Sequence, residues 1–280
     1  MHNKFASHSP PVALSIAGSD SGGGAGIQAD LKTFAALDVF GCSAITAITA
    51  QNTRGVDGIW PLSAEAVAAQ LHSVLNDLPV RSIKTGMLYQ ASVVAAVVAS
   101  LAKYPQMPVV MDPVLVATSG DSLSADDSLI DDENFWRLLR SARVVTPNLE
   151  EAAQLVRTTV ATTEEAMCKQ GDALIDAGLQ AVLIKGGHLS KANVDWLFWR
   201  EGNQLCKQRF STEKIPSNNT HGTGCTLSAA IAAQLAKQNN LVTAVANAKK
   251  FITRAIAGAT DWQLGRGRGP VNHFVNVTSN

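Results

Sequence analysis

A glycine-containing loop leads into an alanine-rich segment near the C-terminal end of the chain. It runs from Thr220 to Ser228 and reads THGTGCTLS. Gly222 and Gly224 allow the backbone to approach an anion closely, and the first N–H groups of a helix, together with its dipole, favour negative charge there. The loop is therefore a candidate phosphate cradle, although an ordinary glycine turn before a helix has the same pattern.

Cys225 lies where the helix after this loop is predicted to begin. A thiol at a helix N-terminus can have a pKa below its usual value of about 8.5, and the thiolate could accept a proton from a substrate hydroxyl. The dipole contributes about 0.3 to 2 kcal/mol, and a bound triphosphate would compete for the same positive field. The alternative is a small buried hydrophobic residue, which is the usual role of a free cysteine.

A second glycine-rich loop follows the first predicted strand and reads GSDSGGGAG from Gly18 to Gly26. It has neither the GxGxxG spacing nor the Lys-Ser/Thr ending of a Walker A loop, so a dinucleotide or P-loop site is a weak interpretation. The carboxyl ends of strands are nevertheless where open α/β sheets bind ligands. The alternative is a flexible connecting loop.

Gln51 and Met87 lie in two further segments with the same placement, TAQNT at 49–53 and KTGML at 84–88. The amide of Gln51 has donors and an acceptor that can match the ring nitrogen and exocyclic amine of an aminopyrimidine. Met87 can lie against a flat ring. Each could equally be structural when taken singly, because polar loop residues and buried methionines are common.

Acidic side chains near strand ends are candidates for magnesium binding. Asp112 follows an apolar strand, and Glu151 comes three residues after Asn148. Mg²⁺ is usually bound by one or two carboxylates together with waters and nucleotide phosphates. Asn148 could instead be a helix N-cap, with Glu151 completing a capping box. Lys185 directly follows another predicted strand and could contact a nucleotide or simply lie in solvent.

Short β-rich runs alternate with helical patterns through most of the chain, which predicts an α/β fold with a mostly parallel sheet between helices. The predicted strands are 12–17, 42–49, 81–85, 109–111, 143–145, 181–184, 194–199 and 204–210. The predicted helices are 27–36, 64–76, 92–102, 134–139, 149–156, 164–177, 225–237 and 241–257. The last two strands flank Glu201-Gly202-Asn203 and indicate an antiparallel hairpin at one end of the sheet.

Residues 11–265 are predicted to form one domain, with loosely tied tails at 1–10 and 266–280. The 280 residues include 23 Lys+Arg and 23 Asp+Glu, and this balance argues against a nucleic-acid-coating surface or a polybasic membrane anchor. The longest apolar run, 91–102, is too short to span a bilayer. With no cleavable signal pattern and no CxxC pair, we expect a cytoplasmic protein without a disulfide framework.

These motifs together resemble the ribokinase-like superfamily of small-molecule kinases and, within it, the hydroxymethylpyrimidine/phosphomethylpyrimidine kinases of thiamine biosynthesis. The resemblance covers almost the whole chain, and its strength lies in the number, order and spacing of the segments. They are AGSDSGGGAGIQADLKTF at 17–34, TAQNT at 49–53, KTGM at 84–87, MDPV at 111–114, TPNLEE at 146–151, KGGH at 185–188 and HGTGCTLSAAIAA at 221–233.

The resemblance implies a three-layer α/β/α ribokinase-like fold. It also implies ATP-dependent phosphorylation of 4-amino-5-hydroxymethyl-2-methylpyrimidine and then of its monophosphate, with Mg²⁺ as cofactor. A homodimer is expected, because the family is commonly dimeric. Some pyridoxal kinases look like this branch and also carry the cysteine, so a pyridoxal kinase is the alternative enzyme. A non-catalytic pyrimidine-binding module is the alternative from another class.

The same resemblance implies a role for each candidate residue. Cys225 takes the position that many relatives fill with Asp, and it is assigned as general base to the hydroxymethyl oxygen. The other roles are a pyrimidine pocket formed by Gln51, Met87, Gly18 and Gly26, an anion hole formed by Gly222, Thr223 and Gly224, nucleotide contacts from Lys185, Asn148 and Thr220, and Mg²⁺ binding by Asp112 and Glu151.

Overall fold

The computed structural model describes residues 9–114, 127–187 and 192–275. The strands of these residues are β1 (Val12–Asp20), β2 (Phe40–Asn52), β3 (Gly55–Pro61), β4 (Val80–Thr85), β5 (Val109–Met111), β6 (Val144–Val145), β7 (Ala181–Gly186), β8 (Ala192–Glu201) and β9 (Gln204–Glu213). The helices are α1 (Gly26–Ala36), α2 (Ala64–Asp77), α3 (Ala91–Leu101), α4 (Glu133–Ser141), α5 (Leu149–Leu155), α6 (Glu164–Asp176), α7 (Thr223–Ala236) and α8 (Leu241–Ala257). A short 3-10 helix spans Asp127–Asp131.

These strands form one sheet in the order β3-β2-β1-β4-β5-β6-β7-β8-β9. The pairs from β2 to β7 are parallel, whereas β8 and β9 form an antiparallel hairpin beside β7. The predicted mostly parallel sheet with a hairpin at one end is confirmed. At the opposite edge, β3 pairs antiparallel with β2 and was missed, because its sequence GVDGIWP includes glycine and proline, which are unfavourable in strands.

The central strands β1, β4, β5, β6 and β7 are mostly buried on both faces, as their apolar sequences require in a parallel sheet. In β5, Val109 and Met111 pack into the cluster that includes residues of α2 to α6, whereas Val110 packs with α1, α7 and α8. Alternate strand residues therefore contact opposite helix layers. The predicted three-layer α/β/α architecture is confirmed.

Helix α7 is the central helix of its layer, and most of its residues are buried. Its alanine-rich sequence carries few bulky side chains, which allows close packing against α1, α8 and β4. The helix begins at Thr223, two residues earlier than predicted, so Cys225 lies inside its first turn. The first turn of α7 is thereby held rigidly above the ends of the central strands.

The prediction of a loosely tied tail from 266 onward is wrong for the residues up to 275 that the structure describes. The Thr53 hydroxyl accepts hydrogen bonds from the N–H groups of Arg266 and Gly267, and Val271 and His273 are buried. A Cβ at Gly267 would overlap the Thr53 backbone, so this glycine provides close packing and not flexibility. Residues 1–8 and 276–280 lie outside the described ranges.

No helix in the described ranges combines the length and the apolar character that crossing a bilayer requires.

Candidate active site

The loop before α7 is built around Gly222, which is the N-cap of that helix and has a φ of +77°. A Cβ at this position would overlap the carbonyl oxygen of Gly24, so the two glycine-rich loops contact each other through their backbones. Thr223 donates its hydroxyl to the Thr220 carbonyl at 2.7 Å, which fixes the turn. The first N–H groups of α7 lack intrahelical acceptors, which makes this loop a suitable anion site.

Cys225 is half-buried, and the Gly26 N–H group forms a hydrogen bond to its thiol. Burial raises the pKa of this thiol to about 11, while the Lys84 ammonium opposes the rise and the Asp30 and Asp112 carboxylates add to it. Desolvation of the thiolate therefore opposes the lowering of the pKa that a helix N-terminus can cause. Any base role for Cys225 must use the minor thiolate form.

Three of the predicted pyrimidine-pocket residues lie together at the end of β1. A Cβ at Gly18 would overlap the terminal methyl group of Met87, and Met87 is buried. Gly26 has a φ of +56°, and a Cβ there would overlap the Gly18 carbonyl oxygen. The glycines therefore leave room for Met87 and for the close turn into α1.

Gln51 lies on the adjoining edge, at the end of β2. Its backbone N–H group donates to the Ser21 hydroxyl at 2.8 Å. Its side-chain oxygen accepts a hydrogen bond from the Thr49 hydroxyl at 3.0 Å. A cleft of about 410 Å³ is lined by Gln51, Asn52, Thr53, Arg54, Gly55, His221, Gly267 and Arg268.

The predicted metal and nucleotide residues form a second cluster. Lys185 Nζ lies 2.9 Å from Asp112 Oδ1 and 4.0 Å from Glu151 Oε2. Burial raises the pKa of Glu151 to about 7, with Lys185 opposing and Asp112 adding to the rise. Burial also acts to raise the pKa of Asp112, but Lys185 and Lys84 together hold it below its usual value.

Asn148 and Glu151 form the capping box that the sequence left open as an alternative. The Asn148 side chain accepts from the Glu151 N–H group at 2.8 Å, and Glu151 Oε2 accepts from the Asn148 N–H group at 2.7 Å. Both side chains therefore have structural partners at the start of α5. This helix start is what directs the Glu151 carboxylate toward Lys185.

Gly224 connects the two clusters. A Cβ at Gly224 would lie 3.3 Å from Lys185 Nζ and 3.6 Å from Asp112 Oδ2, and the Ser228 hydroxyl donates to the same Asp112 oxygen at 3.3 Å. The anion loop, Cys225 and the Asp112–Lys185 pair thus share one edge of the sheet. A phosphate at this edge would meet backbone N–H groups and an ammonium group together.

Among the described residues, no group of three or more His, Cys, Asp or Glu side chains is placed to hold a metal ion. Asp112 and Glu151 could take part in Mg²⁺ binding only alongside waters and substrate phosphates, which is the usual mode for this ion. Lys185 Nζ already pairs with both carboxylates in this structure, at 2.9 Å from Asp112 and 4.0 Å from Glu151.

Two buried contacts that position these groups were not predicted from the sequence. Lys84 and Asp30 form an ion pair of 2.8 Å with fully buried side chains, and His221 pairs with Asp20. The sequence signal for the first pair is the presence of one charged residue, Lys84, in the predicted strand 81–85 and of another, Asp30, in the predicted helix 27–36. His188 of the KGGH segment lies outside the described residues.

Comparison with known proteins decides the family. Residues 20–272 match the family model described as phosphomethylpyrimidine kinase. The chain belongs to this family. It is 51% identical to the hydroxymethylpyrimidine/phosphomethylpyrimidine kinase of Rhizobium meliloti, over 94% of this chain and 97% of that protein. It is 46% identical to the thiamine biosynthesis bifunctional protein ThiED of Geobacter sulfurreducens, over 94% of this chain and 52% of that longer protein.

Solved structures agree with this phosphomethylpyrimidine kinase assignment. The phosphomethylpyrimidine kinase of Clostridium difficile is 37% identical with a TM-score of 0.73, covering 88% of this chain and 99% of that one. The pyridoxal kinase of Staphylococcus aureus in complex with AMP-PCP is 34% identical with a TM-score of 0.82, covering 95% and 94%. The predictions of a ribokinase-like fold and of a kinase that uses ATP are confirmed.

Proposed function

We propose that this kinase transfers the γ-phosphoryl group of ATP to the hydroxymethyl oxygen of 4-amino-5-hydroxymethyl-2-methylpyrimidine. It then transfers a second phosphoryl group to the resulting monophosphate, as part of thiamine biosynthesis. One observation carries the proposal: Gly26 contacts the Gly18 carbonyl and hydrogen-bonds to the Cys225 thiol, so Cys225 and its anion loop lie beside the Gly18–Met87 contact. The names of the relatives support the choice of substrate.

In the first phosphorylation, the pyrimidine ring lies against Met87 and its polar edge faces the Gln51 amide. The Cys225 thiolate accepts the hydroxyl proton as the oxygen attacks the γ-phosphorus and the bond to ADP breaks. The N–H groups of residues 222–225 receive the negative charge of the phosphoryl group in transit. Positioning and charge stabilisation supply most of the acceleration in such transfers.

ATP lies with its phosphates between the anion loop and the Asp112–Lys185 pair. Lys185 provides positive charge toward the phosphates, and Asn148 and Thr220 contact the nucleotide from the starts of α5 and α7. Asp112 and Glu151 are the residues that would hold Mg²⁺, through waters, and the ion would supply charge neutralisation to the phosphates.

In the second phosphorylation the acceptor is a phosphate whose second pKa near about 6 leaves it mostly ionised at neutral pH, so a base contributes little. We therefore expect Cys225→Ala to slow phosphorylation of the alcohol by about 100-fold or more and that of the monophosphate much less. ADP release with each acceptor measures both rates. Cys206→Ala, in the distant β9, is the matched control and should alter neither rate.

Equal losses in the two reactions would remove the base role from Cys225 while leaving the kinase activity in place. Absence of ADP release with both pyrimidines would overturn the proposed function itself. Gln51→Leu adds a separate check, because it removes the hydrogen-bonding partner of the ring. It should weaken pyrimidine binding in calorimetry and leave ATP affinity unchanged.

The second candidate is a pyridoxal kinase, which phosphorylates a hydroxymethyl group on a different flat heteroaromatic ring. The high TM-score to the Staphylococcus aureus pyridoxal kinase favours it. Turnover on pyridoxal compared with the aminopyrimidine alcohol, under the same ATP and Mg²⁺, separates the two activities. Preference for pyridoxal would reverse our assignment.

The cytoplasmic location and the homodimer stay predictions. Sedimentation of the purified chain measures its oligomeric state.

A further inference from the structure

Lys84 and Asp30 form a fully buried ion pair that the proposed reaction does not use. Lys84 Nζ lies 2.8 Å from Asp30 Oδ2, and neither side chain has any exposed surface. The same Asp30 oxygen accepts the Ser15 hydroxyl at 2.6 Å. The other oxygen, Asp30 Oδ1, is buried and has no hydrogen-bond partner among the residues that the structure describes.

Such a pair contributes little to stability. Removing two charges from water costs several kcal/mol per ion, and well-packed apolar residues of similar volume are often as stable or more stable. The unpartnered Asp30 Oδ1 adds a further cost. A buried pair of this kind in the centre of the sheet therefore points to a role other than stability.

The position of the pair indicates that role. Asp30 lies one helical turn after Gly26 on α1, so the two residues share a face of that helix, and the Gly26 N–H group bonds to the Cys225 thiol. Lys84 ends close to the turn after β4, because a Cβ at Gly86 would lie 2.7 Å from its Nζ. The next residue in that turn is Met87, the predicted ring contact.

We propose that Lys84 is a positioning residue for the reaction: its buried ammonium, fixed by Asp30, stabilises the negative charge of the Cys225 thiolate that accepts the substrate proton. This inference rests on the proposed function. In the step concerned, the hydroxymethyl O–H bond breaks as the S–H bond forms. The oxygen then bonds to the γ-phosphorus, and ADP leaves with the electron pair of its broken bond.

The charges that face the thiol come from four elements. The cations Lys84 on β4 and Lys185 on β7 interact with it, and the anions are Asp30 on α1 and Asp112 after β5. Lys84 has the largest effect of these charges, and it lowers the thiol pKa. Neutralising the Lys84–Asp30 pair as a whole should therefore leave the thiolate less stable.

The double variant Lys84→Met with Asp30→Asn tests whether the pair stabilises the Cys225 thiolate. It removes both buried charges together, so that no unpaired charge stays buried. The readout is the rate of iodoacetamide alkylation at Cys225 as a function of pH, followed by mass spectrometry with Cys206 as internal reference. We expect Cys225 to alkylate about tenfold more slowly at a given pH, which corresponds to a rise of about one pKa unit. The alcohol should also be phosphorylated about tenfold more slowly, with a smaller change for the monophosphate.

Asp30→Asn alone gives the opposite expected sign, because it removes an anion and retains the Lys84 cation. Its Cys225 should alkylate faster than in the unaltered protein. An unchanged alkylation profile in either folded variant, or slower alkylation in Asp30→Asn, overturns the role of Lys84. Alkylation needs neither ATP nor acceptor, so this outcome is independent of whether the proposed substrate is correct.

Discussion

His221 and Asp20, which lie 201 residues apart in the sequence, meet side chain to side chain with 2.9 Å between His221 Nε2 and Asp20 Oδ2. The Asp20 carboxylate also accepts the N–H groups of Gly22, Gly24 and Ala25. His221 directly precedes the anion-loop residue Gly222, and its own N–H group donates to the Gly269 carbonyl. This contact therefore ties the β1–α1 loop, the anion loop and the C-terminal segment together.

The first prediction follows from that contact. His221→Leu should lower kcat for both acceptors by about 10- to 100-fold, because a hydrogen bond to a charged group is worth about 1.5 to 3 kcal/mol and its loss frees the anion loop. His221→Gln can place an amide donor near the former Nε2 and should recover part of kcat. Steady-state kinetics of the three proteins measures this. An equally low kcat in both variants would show that loss of the hydrogen bond to Asp20 is not the cause of the lower activity.

The second prediction concerns the backbone contact at Gly222. Gly222→Ala should abolish measurable phosphorylation, since its Cβ would overlap the Gly24 carbonyl and force the two loops apart. Gly202→Ala is the matched control: its φ is also positive, at +59°, but no atom of the described ranges lies within 4 Å of the added Cβ. The control should lose about 1 kcal/mol of stability and no activity. Full activity in Gly222→Ala would contradict the proposed anion loop.

Much of the fold could be predicted from local sequence patterns. The predicted bounds of β5 and α8 agree with the structure at both ends, because each is an uninterrupted apolar or amphipathic segment. The edge strand β3 and the packed segment after 265 could not be predicted. In a sequence, the glycines of these two segments suggest flexible loops. In the structure, Gly267 instead allows close contact with the Thr53 backbone.

The residues of the candidate site could be predicted from the sequence, but their burial, their ion pairs and their pKa shifts could not. The sequence placed Cys225 at a helix N-terminus and left open a lowered pKa or a buried thiol, and in the structure burial has the largest effect on the pKa of this thiol. It identified Asn148 and Glu151 without deciding between a metal site and a capping box, and the structure shows the capping box. Lys84 and Asp30 were missed, because only the packing of β4 against α1 and α7 reveals that they are buried together.

The third prediction tests magnesium binding at Glu151. Glu151→Gln removes the negative charge but keeps an oxygen that can accept the Asn148 N–H group, so α5 should remain capped. If the carboxylate holds the water shell of Mg²⁺, the half-saturating Mg²⁺ concentration should rise about tenfold or more. Glu150→Gln, an exposed neighbour on the same turn, is the control. Identical Mg²⁺ titrations for the three proteins would exclude Glu151 from the ion's surroundings.

The fourth prediction concerns His273, which the C-terminal segment buries against α7. Its Nε2 lies 2.9 Å from the Thr226 hydroxyl, and burial, with a smaller effect of Lys32, lowers its pKa from 6.5 to about 4. The unfolded chain therefore takes up a proton at higher pH than the folded protein does. The stability due to neutral His273 is complete above about pH 6.5 and is lost as the pH falls toward about 4.

For this histidine, acidification from about pH 7.5 to about pH 5 should cost about 2 kcal/mol of unfolding free energy. His273→Gln should lose correspondingly less over the same range, because glutamine does not titrate, while His72→Gln at an exposed position should behave like the unaltered protein. Urea unfolding at the two pH values measures all three. If His273→Gln were as sensitive to acid as the unaltered protein, the burial of a neutral imidazole beneath α7 would not be the source of the pH dependence.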